Sequence, residues 1–186
     1  MIDVPLLPER IETERLVLRR CTLADADDVL AYATDPEWSR FLSIPKPYER
    51  RHAEEAVAMW VLEDWSTHPV WAIEVARRAS GQINLRIDHQ QRNAEMGYAV
   101  ARRFWGRGYM TEAARAVIDA AFGSLPELVR VQAGANAGNQ ASIRVMEKLG
   151  MSYEGTLRHA PGRKESDSRE AGVIYAFLRE EWEPTR

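Results

Sequence analysis

RRFWGRGYMTEA, Arg102–Ala113, holds two glycines one residue apart, between a pair of bulky aromatics and the start of a helical pattern. Glycine in an ordered segment is entropically costly and is tolerated where the backbone must turn left-handed or approach another group closely. Upstream, AEMGYAV (Ala94–Val100) reads as a strand. Downstream, MTEAARAVIDAAF is an amphipathic helix with Met110, Ala114, Val117 and Ala121 on one stripe and Glu112, Arg115 and Asp119 on the other. The stretch therefore carries the chain from a strand into a helix N-terminus. Successive N–H groups at such a junction converge on an anion, and the helix end adds partial positive charge. Arg103 and Arg107 place cations nearby in sequence. Two known phosphate patterns do not fit. GxxxxGK[ST] is absent, and the dinucleotide fingerprint needs a third glycine where this chain has Thr111. On the glycines alone, a plain helix-entry turn explains the stretch as well as a phosphate cradle does.

The rest of the chain sets the context. Its 186 residues suffice for one domain, 1–186, with a sizeable core. With 45% hydrophobic and 28% charged residues the balance is that of an ordinary globular protein. The net charge of −3 argues against a non-specific nucleic-acid binder. One cysteine, Cys21, excludes an intrachain disulfide and suits a reducing compartment. His52, His68, His89 and His159 show no metal-ligand spacing with Cys21 or with one another. No secretory signal or membrane-length apolar run is visible, so the expectation is a cytoplasmic protein with no membrane partner and no metal.

Period and punctuation predict the order βααβββαβαββ, a mixed α/β fold. RLVLRRC alternates as a half-buried strand. Leu23–Asp35 reads as a helix with Leu23, Ala26, Leu30 and Ala33 on its inner stripe, and Glu49–Trp65 as a second helix after a proline-punctuated aromatic loop. PVWAIEVA, GQINLRID and AEMGYAV are three short strands. VRVQAGA is another strand. NQASIRVMEKLG follows as a helix with Asn139 as N-cap and Gly150 as stop. MSYEGTLR and GVIYAFL are strand candidates flanking a charged loop over 158–170.

Arg103-Phe-Trp-Gly106-Arg107-Gly108 matches the [Q/R]-x-x-G-x-[G/A] motif of the GNAT (Gcn5-related N-acetyltransferase) superfamily. TERLVLR, AEMGYAV, WGRGYMTEA, NQASIRVMEKLGM and IYAFLREEW follow in the order found in its RimJ/RimL-type branch, from about Thr13 to Trp182. The resemblance implies a mostly antiparallel mixed sheet, splayed in its middle, with helices on both faces. It implies acetyl-CoA as cosubstrate, lying in the splay between the fourth and fifth strands, with Ala94–Val100 as the fourth. Backbone near Val100 and Arg102 would pair with the pantetheine arm. Amides from Arg103 through Gly106, Arg107, Gly108 and Tyr109 would hold the pyrophosphate. Asn139 would bond a pantetheine amide besides capping its helix. Arg144 and Lys148 suit a solvated helix face.

By the same resemblance the reaction is direct attack of a primary amine on the thioester. Glu95 holds the family's strand-glutamate position and is the candidate base, against a simpler role paired with Arg86. An α-amine, with a pKa of about 8, asks less of a base than a lysine at about 10.4. Many relatives carry a tyrosine where this chain has Met146, which cannot donate a proton. Ser142 is the candidate acid. A glutamate assigned as base in part of the branch falls near Pro161, where this chain has none. Trp38, Phe41 and Tyr48 are candidate acceptor contacts, with Trp60 and Trp65 nearby. The acceptor expected by resemblance is a protein N-terminal amine, with small-molecule amines and a non-catalytic acyl-CoA sensor as alternatives. A homodimer is compatible with the family.

Overall fold

The computed structural model describes residues 7–158 and 171–182. Eight strands form one sheet: β1 (Arg10–Glu12), β2 (Val17–Arg20), β3 (Val70–Val75), β4 (Arg78–Asp88), β5 (Asn93–Val100), β6 (Arg130–Asn136), β7 (Ser152–Leu157) and β8 (Gly172–Leu178). Their spatial order is β1-β2-β3-β4-β5-β6-β8-β7. Four α-helices accompany them: α1 (Ala26–Ala33), α2 (Arg50–Leu62), α3 (Tyr109–Ser124) and α4 (Gln140–Leu149). The element order differs from the expected one at its start. Arg10–Glu12 is a three-residue strand too short to show a period. The strand expected fourth is therefore β5.

All neighbouring strands run antiparallel except β5 and β6. That parallel pairing runs from Asn93↔Arg130 to Met96↔Ala133 and stops. β5 continues to Val100 against Gly81 of β4, while β6 continues to Asn136 against Gly172 of β8. The sheet thus opens between Gly97–Val100 and Gly134–Asn136, as expected of a splayed sheet.

Strand alternation assigns the two faces. Leu18, Trp71, Ile73, Ile83, Leu85, Met96 and Val100 pack with Val117, Ile118, Ala121, Ile143, Met146 and Leu149 of α3 and α4. On the other face, α1 and α2 bury Val29, Tyr32, Ala53 and Val57 against each other and Ala101. Leu23 is 67% exposed, contrary to the expected stripe, while Ala26, Val29, Tyr32 and Ala33 are buried. The reason is a 3₁₀ turn over Leu23–Asp25, with three residues per turn, which puts Leu23 out of phase with the α-helix that follows. α2 ends at Leu62, short of the expected Trp65. Glu63 turns extended, and Trp65 packs edge-on against Trp71, donating its indole N–H to the Leu7 carbonyl at 2.8 Å.

α3 is anchored at both ends. At its C-terminus the Arg179 guanidinium donates to the carbonyls of Phe122 (2.8 Å), Leu128 (2.7 Å) and Leu125. Orphan carbonyls of a last turn need such partners. At its N-terminus, Glu112 meets Thr13 and Arg15 from the chain entering β2. The segment between β5 and α3 is consequently a short connection between two fixed elements.

Candidate active site

A cleft of about 510 Å³ opens at the splay. That size suits a cofactor-scale ligand. Its walls come from the end of β5 (Tyr98, Ala99, Val100), the turn into α3 (Gly106, Gly108 to Thr111), the first three turns of α4 (Asn139 to Lys148) and the α1–α2 loop (Glu37, Trp38, Phe41).

The glycine turn is built as its sequence implies. After Val100 a 3₁₀ turn covers Arg102–Phe104, then Gly106 and Gly108 both take left-handed conformations, with φ of +71° and +81°. Gly108 is the N-cap of α3. The first helix amide to find a carbonyl is that of Glu112, which donates to Gly108 at 3.0 Å. The amides ahead of it belong to the orphan set of every helix start, and here they line the cleft.

Val100, Gly106, Gly108, Tyr109, Asn139 and Ser142 all border this space, as do Trp38 and Phe41. Asn139 caps α4, its side-chain oxygen accepting the Ser142 amide at 3.2 Å, and Gly150 closes the helix in a left-handed conformation. The Val100 carbonyl already accepts the Trp105 indole N–H at 2.8 Å. The side chains of three arginines in this stretch point away from the cleft, while the donor-site roles expected of Arg102, Arg103 and Arg107 are main-chain ones and independent of those side chains. Arg102 turns to Asp35 at 3.6 Å, and Arg103 donates to the Ser80 hydroxyl at 3.3 Å while lying over the Phe104 ring. The Arg107 side chain is exposed and is not part of the cleft wall. The cations that do border the cleft are Arg40, Arg144 and Lys148. Arg144 and Lys148, assigned to a solvated face, are exposed but on the cleft side of α4, and make no ion pair among the described residues.

Tyr48 does not reach the cleft. Its hydroxyl donates to the His52 carbonyl at 3.2 Å and its ring packs on the His52 ring, so it is committed to the first turn of α2. Trp60, a residue of α2, likewise packs against the core between α1 and α2. Phe41 spans the mouth of the splay, with its ring 3.6 Å from the position a Cβ on Gly138 would take.

Glu95 lies away from these walls. It is exposed, on the face of β5 opposite Met96 and Tyr98, in a shallow depression with Arg86, Asp88, Asn93 and Gln132. Arg86 and Gln132 are its register partners across β4 and β6, yet no ion pair joins Glu95 to Arg86. Ala99, on the same face, is about 13 Å further along the strand. The residue between them is Gly97, over which the Asn84 side chain lies 3.0 Å from where a Cβ would be. Glu95 and the cleft therefore share one polar strip of sheet.

Sequence reasoning passed over Tyr98, although strand alternation puts it three residues from Glu95 and on the opposite face. Its hydroxyl donates to the Ser142 carbonyl at 3.1 Å, tying β5 to α4 across the splay. Burial raises its pKa far above that of an ordinary phenol, outweighing a side-chain hydrogen bond with Ser142 that lowers it. The Ser142 side chain itself lies within hydrogen-bonding reach of the same phenol. Met146 is fully buried in the core, consistent with a packing role. Pro161 and the charged loop lie outside the described residues. Among the described residues no cluster of His, Cys, Asp or Glu is arranged to hold a metal, and no helix is long and apolar enough to cross a membrane.

Comparison with known proteins agrees with this geometry. Uncharacterized N-acetyltransferase p20 of Bacillus licheniformis is 32% identical over 154 residues, covering 81% of this chain and 86% of that protein. Among solved structures, the microcin C7 self-immunity acetyltransferase MccE, in complex with acetyl-CoA and AMP, superposes with a TM-score of 0.79 at 19% identity, covering 95% of this chain and 99% of its own. Apo RimL, the ribosomal L7/L12 alpha-N-protein acetyltransferase, superposes with a TM-score of 0.79 at 19% identity, covering 93% and 99%. At those identities the two structures speak to the fold. Residues 15–152 match the family described as Acetyltransferase (GNAT) domain, and the chain belongs to that family of acetyl-CoA-dependent N-acetyltransferases.

Proposed function

We propose that the chain, as one catalytic unit over 1–186, acetylates the α-amine of a peptide or protein N-terminus in the cytoplasm. The observation that carries this reading is the charge of the cleft. Arg40, Arg144 and Lys148 border it against a single carboxylate, Glu37. With Arg144 and Lys148 matched by the donor's phosphates and Arg40 paired with Glu37 at 3.9 Å, the cleft offers no acidic patch to hold a polyamine or an aminoglycoside, whereas a peptide N-terminus brings one positive charge and loses it before attack. An α-amine is also partly neutral near pH 7, so a weak or distant base suffices.

The donor lies in the splay. Amides from Gly106 through Thr111 cradle its pyrophosphate, with Arg144 and Lys148 as counter-charges, and Asn139 takes a pantetheine amide. Trp38 and Phe41 form the acceptor end. Ser142, whose side chain borders the cleft beside the Tyr98 phenol, gives its proton to the departing thiolate and recovers one from solvent, and Tyr98 holds the α4 turn that aims it. Glu95 draws the proton from the amine through water along the polar strip past Gly97. A positioned acid or base contributes about 10²–10⁴-fold.

The test is thiol release from acetyl-CoA with peptides of varied N-terminal residue, spermidine and an aminoglycoside. Peptides should turn over at least tenfold faster in kcat/KM. Preference for either polycation refutes the acceptor assignment. Unchanged turnover of Glu95→Gln at saturating acetyl-CoA refutes the role of Glu95.

A further inference from the structure

Arg15, two residues before β2, converges on the glycine turn through four contacts. Its Nη1 donates to the Arg107 carbonyl at 2.9 Å. Its Nε donates to Glu112 at 2.6 Å, and Nη2 approaches the same carboxylate oxygen at 2.6 Å. Its guanidinium carbon stands 4.5 Å from the centre of the Tyr109 ring. Its own main-chain amide donates to the other Glu112 oxygen at 2.9 Å, which also accepts the Thr13 hydroxyl at 2.6 Å. Both carboxylate oxygens are thus taken by groups entering β2.

Two consequences follow from elementary geometry and charge. Arg107 sits between the two left-handed glycines. In a trans peptide the C=O of one residue and the N–H of the next point in opposite directions. Gripping the Arg107 carbonyl therefore turns the Gly108 amide away from Arg15, towards the cleft that Gly108 borders. Gly108 at one end of this peptide unit makes it easier to flip, so an external grip on the Arg107 carbonyl holds one orientation. Second, Glu112 lies in the first turn of α3, within one helical turn of the amides meant for an anion. An unpaired carboxylate there repels a phosphate ligand; paired with Arg15 it does not.

We propose that Arg15 is a positioning residue for the donor site: it aims the Gly108 amide and neutralises Glu112, and so sets the affinity for acetyl-CoA without touching the reacting atoms. The inference rests on the reading that the Gly106–Tyr109 turn holds the pyrophosphate.

The experiment is calorimetric titration of CoA into wild-type, R15A, R15K and R15A/E112Q proteins, with steady-state kinetics alongside. R15A should raise both Kd for CoA and KM for acetyl-CoA on the order of tenfold, leaving kcat at saturation within twofold. R15K keeps the charge but cannot fork between carbonyl and carboxylate, and should fall between the two. R15A/E112Q should recover several-fold of the lost affinity, because the unmasked charge is gone. Kd unchanged in R15A, or kcat lost with KM unchanged, overturns the proposal, and no recovery in the double variant overturns its charge component. If R15A fails to fold, R15K carries the test, and a wild-type Kd there overturns the proposal. G108V separates the two levels. If G108V binds CoA as wild type does and its Tm is unmoved, the turn is not the donor site. If G108V loses binding and R15A does not, the role of Arg15 alone fails.

Discussion

Replacing Gly108 by valine puts a β-branched side chain at φ +81°, where only glycine sits without strain. The left-handed conformation costs an L-residue about 1–2 kcal/mol, and a β-branched one more. The first added carbon comes 3.4 Å from Nη2 of Arg15, so the two methyls of valine crowd the guanidinium that grips the turn. At Gly106, φ is +71° and nothing lies within 4 Å of the added carbon, so G106A carries the torsional cost alone. The strain in G108V has two outlets. If the turn keeps its shape, the loss falls on stability, and about 1–2 kcal/mol lowers Tm by roughly 2–8 °C in a chain of this size. If the turn relaxes, stability is spared and the amides lose their aim, which costs at least 5–30-fold in CoA affinity on the order of the same energy. G108N is the control, since asparagine tolerates the left-handed region and should hold both quantities closer to wild type. Calorimetric titration with CoA and thermal denaturation read the two outlets separately. CoA affinity within twofold of wild type together with an unmoved Tm in G108V would refute the assignment of this turn.

Other consequences lie outside the turn. Asp25 is buried, with both carboxylate oxygens on the Arg19 guanidinium at 2.7 and 2.9 Å and a further bond from the Thr22 amide. Burial pushes its carboxyl up, but the bonds from Arg19 and Thr22 win and hold it below the ordinary value of 3.8. Its contribution is therefore complete above that value and is lost as pH falls through the lower folded one. D25N should lose about 2 kcal/mol at pH 7 by chemical denaturation, and the gap should close below about pH 4; a gap constant with pH contradicts the pairing. Cys21 is buried and its thiol is pushed up to about 12, chiefly by desolvation and then by Asp25, so a thiol reagent should leave the native protein unlabelled and modify it only on unfolding. Rapid native labelling would show that the α1–α2 face opens. M146A should cost about 2–5 kcal/mol and M146L under about 1.5 kcal/mol, since the side chain is wholly inside the core. A rate defect in M146L at full stability would point instead to a role at the sulfur.

What was legible in the sequence was what the backbone dictates. The Asn139 cap, the Gly150 stop, the α3 stripe and the glycine turn are local, and each residue there has few alternative uses. The long cations were not legible. Arg102 and Arg103 sit in the right stretch but are drawn to Asp35 and Ser80, groups distant in sequence, while Arg144 and Lys148 reach the cleft because α4 happens to present that side. The aromatic loop divided on the same ground. Trp38 and Phe41 stand in irregular chain facing the splay, whereas Tyr48 is two residues before the start of α2 and is used by it. Tyr98 was hidden because its motif drew attention to Glu95, on the other face of the same strand.

The β5–β6 seam joins two leaves, β1–β5 and β6–β8, through four residue pairs in the sheet. Beyond Met96 the parting strand β5 is an edge strand enclosed within the molecule, shielded from other chains by the α1–α2 loop and α4 rather than by charge or proline. Such an interior edge lets a molecule with amides of its own complete a ladder inside the protein. A ligand bound there bridges both leaves, so the empty protein should be the softer of the two states, with the softness concentrated along the parting.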